Sequence, residues 1–198
     1  MISLTIELLK TCFDNSCASN FDNIISTYDT LIEFVQGPCS ENQVTVVESK
    51  YLEYLNEILL DRIPRLGKPE DNETTIMSVG NSGDLTNWMK AHLKYKSLVL
   101  LTSLIEMKQG DTIIRKMMQF IPKDTLIQTL VECFKGHLIL YGTSYSTDAF
   151  GHAEKRPDTE DEYDLKDQAY YETIIETGFM TYFILIEYLE VEGMEDNQ

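Results

Sequence analysis

Cys39 stands in the stretch Phe34-Val-Gln-Gly-Pro-Cys-Ser-Glu-Asn-Gln43, directly ahead of what reads as a helix start. A thiol at a helix N-terminus has its thiolate favoured by the helix dipole and can act as a nucleophile or a redox sensor. That chemistry also needs a base and an exposed cleft. The three histidines, His92, His137 and His152, fall in no partner motif, and Glu41 beside the thiol opposes its ionisation. The same residues also read as a helix corner. Gly37 suits the left-handed conformation that ends a helix, and Pro38 forbids its continuation. Ser40 and Gln43 have the Ser-x-x-Gln spacing of a capping box, which puts Cys39 before the cap and Val44 at the fourth helical position, where a hydrophobic staple would pair them. The corner accounts for more of these residues than the nucleophile does, and free cysteine is among the most often buried residue types.

Other chemistries find less support. Cys12 and Cys17 have no second pair to close a tetrahedral metal site. The acidic run DTEDEYDLKD places Asp158, Glu160, Glu162 and Asp164 at alternate positions, as a calcium loop does. Its sixth position is Tyr163 where an EF-hand has glycine, and its twelfth is Ala169 where an EF-hand has glutamate, so it reads as a solvated acidic loop. No nucleophile elbow, phosphate-binding loop, zinc-protease helix or dinucleotide fingerprint is present in the sequence. No catalytic, cofactor-binding or metal-ligating residue is assigned, and the expectation is a non-enzymatic chain without a cofactor.

The elements that carry these residues follow helical spacing almost throughout. Tyr51, Leu52, Leu55, Ile58 and Leu59 form one apolar stripe, with Glu53, Glu57 and Asp61 on the other side. Similar stripes run through residues 24–35, 93–107, 113–121 and 126–140, and a helix is expected at the N-terminus. Pro122 and Asp124 mark a tight corner between two of them. A last helix, from about residue 168 to 191, carries Gly178 in its middle at a cost of about 1 kcal/mol relative to alanine. Close approach of a neighbouring helix is the expected reason. Polar segments at 64–84 and 142–167 read as long loops. The fold class is all-α, with six or seven helices stacked or bundled.

Composition narrows the function classes. With 33 acidic against 16 basic side chains the net charge is −17, which on average repels nucleic acid and anionic bilayers. An apolar content of 43% with only five prolines argues for a folded chain despite that charge. Four scattered cysteines fit a reducing, cytoplasmic setting. No segment reaches the roughly 18 to 20 apolar residues of a membrane span, and no secretory leader is recognised.

The block EFVQGPCSENQ, residues 33–43, resembles the helix-corner signature of the domain associated with the ryanodine and inositol trisphosphate receptor homology region of tetrameric calcium-release channels. LLDRIPRLGK (59–68), KSLVLLTSLIE (96–106), FIPKDTLIQTLVECF (120–134) and ETGFMTYFILIEYL (176–189) are similar to later helices of that family, in the same order. The likeness is closer to the inositol trisphosphate receptor type. It implies a domain at 21–190, preceded by an N-terminal helix and lead-in at 1–20 and followed by an acidic tail at 191–198. It also implies an armadillo-like helical layer on the cytosolic face of the endoplasmic reticulum. Its partners would be the channel's other cytosolic domains, and possible regulatory proteins, with a role in passing conformational change. Gln36, Gly37, Pro38, Cys39, Ser40, Glu41, Asn42 and Gln43 are carried as the motif, in a structural or interface role. The second reading is a free-standing acidic adaptor that binds a protein partner through a helical-repeat surface.

Overall fold

The computed structural model describes residues 1–14, 18–37, 39–61, 87–105, 110–143, 145–147, 153–155 and 165–195. Eight α-helices are found among them: α1 (Ile2–Asp14), α2 (Phe21–Val35), α3 (Ser40–Glu48), α4 (Tyr51–Leu59), α5 (Asn87–Ile105), α6 (Gly110–Phe120), α7 (Lys123–Thr143) and α8 (Leu165–Glu195). A 3-10 turn, Ala18–Asn20, leads into α2. The fold is all-α. The loop expected at 142–167 is shorter at both ends than its composition suggests. It also holds an antiparallel pair of three-residue strands, β1 (Tyr145–Thr147) and β2 (Ala153–Lys155), with Ser146 opposite Glu154. The segment expected as the other loop, 64–84, lies outside the described residues, as do Cys17, Pro38 and residues 158–164.

The helices form two layers, the arrangement that lets each bury its apolar stripe. One layer is the row α1, α2, α5, α8, α7, each helix touching the next. Across it lie α3, α4 and α6, which touch one another and reach down to α1, α2, α5, α7 and α8. At the centre, α5 contributes Leu93, Leu98, Leu100, Leu101 and Leu104, all fully buried. Tyr28 of α2 is also fully buried, and its hydroxyl shares a 2.8 Å hydrogen bond with Ser97 of α5. Phe13 meets the Tyr28 ring edge-on at 6.0 Å, which ties α1 to the same core.

Three threonines enter the buried face of α8 without an unmet hydrogen bond because they bond locally. Thr173, Thr177 and Thr181 are buried at helical spacing, and each hydroxyl donates to the carbonyl four residues earlier, at 2.7, 2.6 and 2.7 Å. At the α7–α8 seam, α7 does lie against Gly178. A methyl group there would meet Cys133 Cβ at 3.4 Å, an ordinary contact, so the approach does not require glycine.

Candidate functional site: the 36–43 corner and the Lys94 cavity

The corner is built from the carbonyls that a helix end leaves without partners. At the end of α2, Gln36 turns extended and so ends the helix, and Gly37 then takes φ +84°, which turns the chain toward α3. Phe34 and Val35 lie in the last turn, where no later amide of the same helix can reach their oxygens. The first turn of α3 reaches them instead. Asn42 Nδ2 donates to Phe34 O at 2.8 Å, and Gln43 Nε2 donates to Val35 O at 3.0 Å. Gln43 is fully buried, and Nε2 also lies 3.3 Å from Ser103 O on α5. One amide thus joins α2, α3 and α5.

This geometry replaces the expected capping box. Cys39, not Ser40, occupies the N-cap position of α3, and it makes no side-chain cap hydrogen bond. Ser40 is the first helical residue, and Gln43 is committed across the helix interface, so neither closes the box. The Cys39 carbonyl accepts from the amides of Asn42 at 2.9 Å and Gln43 at 3.2 Å. The Cys39 side chain is exposed, so the expected staple with half-buried Val44 hides little of it. Glu41 is exposed in the first turn of α3, where its charge complements the positive end of the helix.

A second polar centre was not legible in the sequence. The Lys94 ammonium, on α5, lies 2.9 Å from both Asp61 Oδ2 and Glu132 Oε2. Asp61 holds φ +56° just beyond α4, a backbone that aspartate tolerates better than most residues. Burial works against the Lys94 charge, but hydrogen bonds and attraction from both carboxylates outweigh it and hold its pKa above the usual lysine value. Glu132 is likewise desolvated, yet its bonds to Gln128 and Lys94 keep its pKa below the usual carboxylate value. A cavity of about 370 Å³ opens beside this triad, lined among others by Lys90, Cys133 and Tyr170. Burial pushes the Cys133 thiol up to about 11, so at neutral pH almost none of it is the nucleophilic thiolate. Lys90 and Lys94 are matched there by Asp61 and Glu132, so the lining offers an anion no surplus charge. The triad fastens α4's end, α5 and α7 together.

His92, half-buried on α5, stacks on Trp88 with ring centroids 5.3 Å apart. The side chains of His137 and His152 lie outside the described residues. No three His, Cys, Asp or Glu residues among the described ones are grouped as a metal ion would need. No helix among the described residues is long and apolar enough to cross a membrane.

No curated protein and no solved structure matches the chain. A family model described as RyR and IP3R Homology associated matches residues 1–59. The matched segment begins at the N-terminus, takes in α1 through α4 and contains the whole 36–43 corner. The similar blocks at 96–106, 120–134 and 176–189 lie beyond it, as does all but the first residue of the block at 59–68. Of the resemblance read over 21–190 the match thus covers residues 21–59, and it adds the N-terminal helix and lead-in at 1–20: the chain matches the RyR and IP3R Homology associated family over residues 1–59.

Proposed function

We propose that the chain is a non-enzymatic helical interaction and coupling domain of an intracellular calcium-release channel, closer to the inositol trisphosphate receptor type. It would sit on the cytosolic face of the endoplasmic reticulum, among the channel's other cytosolic domains. The observation that carries this reading is the corner: the segment that matches the family is the segment whose Gln43 amide binds α2, α3 and α5 into one block. A block joined in this way passes on displacement, because closely packed interiors shift as units and do not deform continuously. An armadillo-like stacking on neighbours agrees with the row of helices, whose two ends both present apolar side chains. Met1, Leu4 and Leu8 are exposed on α1, and Phe134 and Phe179 on α7 and α8.

The adaptor reading rests on the net charge of −17 together with the same exposed faces. Purified chain titrated against the separate cytosolic segments of an inositol trisphosphate receptor-type channel distinguishes the two. Saturable binding to at least one segment supports the coupling domain, and binding to none leaves the adaptor.

A further inference from the structure

The outer face of the α7–α8 pair carries two heptad stripes that no other described residue covers. On α8, Ile175, Phe179, Tyr182, Ile186 and Leu189 follow the 4-3-4-3 spacing of a coiled-coil seam. Phe179 is 70% exposed and Tyr182 54%. On α7, Ile127, Val131 and Phe134 repeat the 4-3 spacing, and all three are exposed.

The two stripes belong to one surface. Gly136 faces Ile174, Gly178 faces Cys133, and Lys123 pairs with Glu192, so the helices run antiparallel. Residues that add to about 310 lie level with one another, which sets Phe134 beside Ile175 and Phe179, and Val131 beside Phe179 and Tyr182. At 100° per residue, each stripe falls just outside the seam formed by Cys133, Gly136, Ile174 and Gly178, on the side away from α5. A shallow apolar trough results, flanked by two helices, of the kind that takes a third amphipathic helix.

Charge decides what that helix is. At 100° per residue Glu172, Glu176, Glu187 and Glu190 fall along the α5 side of the stripe, where Glu176 also bonds Tyr95 of α5, and α8 has no lysine or arginine between residues 169 and 193. Glu187 sits near Glu190 and Asp111; burial and these like charges hold its pKa above the usual carboxylate value. A bound cation would relieve that repulsion. A second copy of the chain would instead bring another −17 against this edge.

We infer that the α7–α8 face docks a basic amphipathic helix of a protein partner, with its apolar seam in the trough and its lysines or arginines along the Glu172–Glu190 edge. This rests on the interaction reading proposed above and names the chemistry of the partner. The α8 stripe spans 14 residue steps, about 21 Å of helix at 1.5 Å per residue, so the matching segment has about four turns.

The probe is a synthetic peptide of about 18 residues with leucine at the heptad seam and lysine flanking it. Its controls are a scrambled peptide of the same composition and a version with glutamate for lysine. Affinity for the intact chain is measured by fluorescence anisotropy at two salt concentrations. The peptide is expected to bind, more weakly at high salt, and both controls to bind at least about 10-fold more weakly. An exposed aromatic at the centre of such a face is worth about 2 kcal/mol or more, so Phe179→Asp and Phe134→Asp are each expected to lower affinity about 30-fold. Both side chains are exposed, and circular dichroism checks that the variants fold. Leu4→Asp, at the other end of the row, is expected to leave affinity unchanged.

Equal binding of the scrambled peptide, or equal loss in Leu4→Asp, overturns the inference. So does a dimer, or attachment to phosphatidylcholine vesicles, that Phe179→Asp abolishes, since the face would then serve a second copy or a bilayer. If the chain binds channel segments and Phe179→Asp binds them equally, the docking face falls while the coupling reading stands. Should it bind the peptide but no channel segment, the coupling reading falls and the docking face remains.

Discussion

Replacing Gln43 with leucine tests the corner at its most connected residue. The substitution nearly conserves volume at a fully buried site, so it removes hydrogen bonds while opening little cavity. Lost are the Nε2 contacts to Val35 O at 3.0 Å and Ser103 O at 3.3 Å. Each such bond is worth about 1 kcal/mol net, and a carbonyl left buried without a donor costs about 1–3 kcal/mol. Against this, the Gln43 Oε1 atom is itself buried without a protein partner, and its removal returns part of the loss. The balance is a loss of about 2 kcal/mol, because two carbonyls are orphaned and one acceptor is removed. In a chain of 198 residues that corresponds to a fall in Tm of about 4–8 °C. Urea denaturation followed by far-UV circular dichroism measures it, provided the transition is two-state. A loss below about 0.5 kcal/mol, the range of ordinary surface substitutions, would refute the claim that this amide holds α2, α3 and α5 together.

Four further outcomes follow from the same geometry. Gly37→Ala forces an L-residue to φ +84° with nothing within 4 Å to clash, so it is expected to cost about 1–2 kcal/mol by strain alone. Gly178→Ala is expected to stabilise by about 0.5–1 kcal/mol, since its methyl finds room against Cys133 and helix propensity improves; parallel melts of the two variants check both signs. Burial, assisted by Lys96 and opposed by Asp29, lowers the His92 pKa below 6.5, so the unfolded chain takes up a proton that the folded one resists. Stability carried by His92 is therefore complete above pH 6.5 and declines below it; the sole tryptophan, stacked on His92, should report the protonation as a fluorescence change with a midpoint below 6.5. A midpoint above that value contradicts it. With Cys133 raised to about 11 and Cys39 exposed, iodoacetamide at pH 8 should label Cys39 well before Cys133, as peptide mass mapping would show.

The elements were legible where periodicity is local. The Tyr51–Leu59 stripe is buried along its length, and Gly37 takes the positive φ its residue type suits, just past the end of α2. What the corner does with its amides was not legible. The Ser40–Gln43 spacing fits a capping box and also fits an amide reaching back to the preceding helix, and the choice depends on where α5 lies, 60 residues away. A usable signal was present in Asn42 and Gln43, two amides in the first turn after a glycine stop, placed to serve the carbonyls just ended. The Lys94 triad left no such signal, because Asp61 and Glu132 lie 33 and 38 residues from Lys94 and meet it only through tertiary packing. The exposed heptad on α8 was hidden for another reason. Apolar residues surround that helix, and sequence alone does not separate the side facing α5 from the side facing outward.

The most direct test of the coupling account is a titration of the purified chain, wild type and Phe179→Asp, against the cytosolic segments of an inositol trisphosphate receptor-type channel. The account predicts saturable binding of the wild-type chain to at least one segment; the docking face on α7–α8 separately predicts binding about 30-fold weaker for Phe179→Asp. Absence of binding by the wild-type chain to every segment would contradict it.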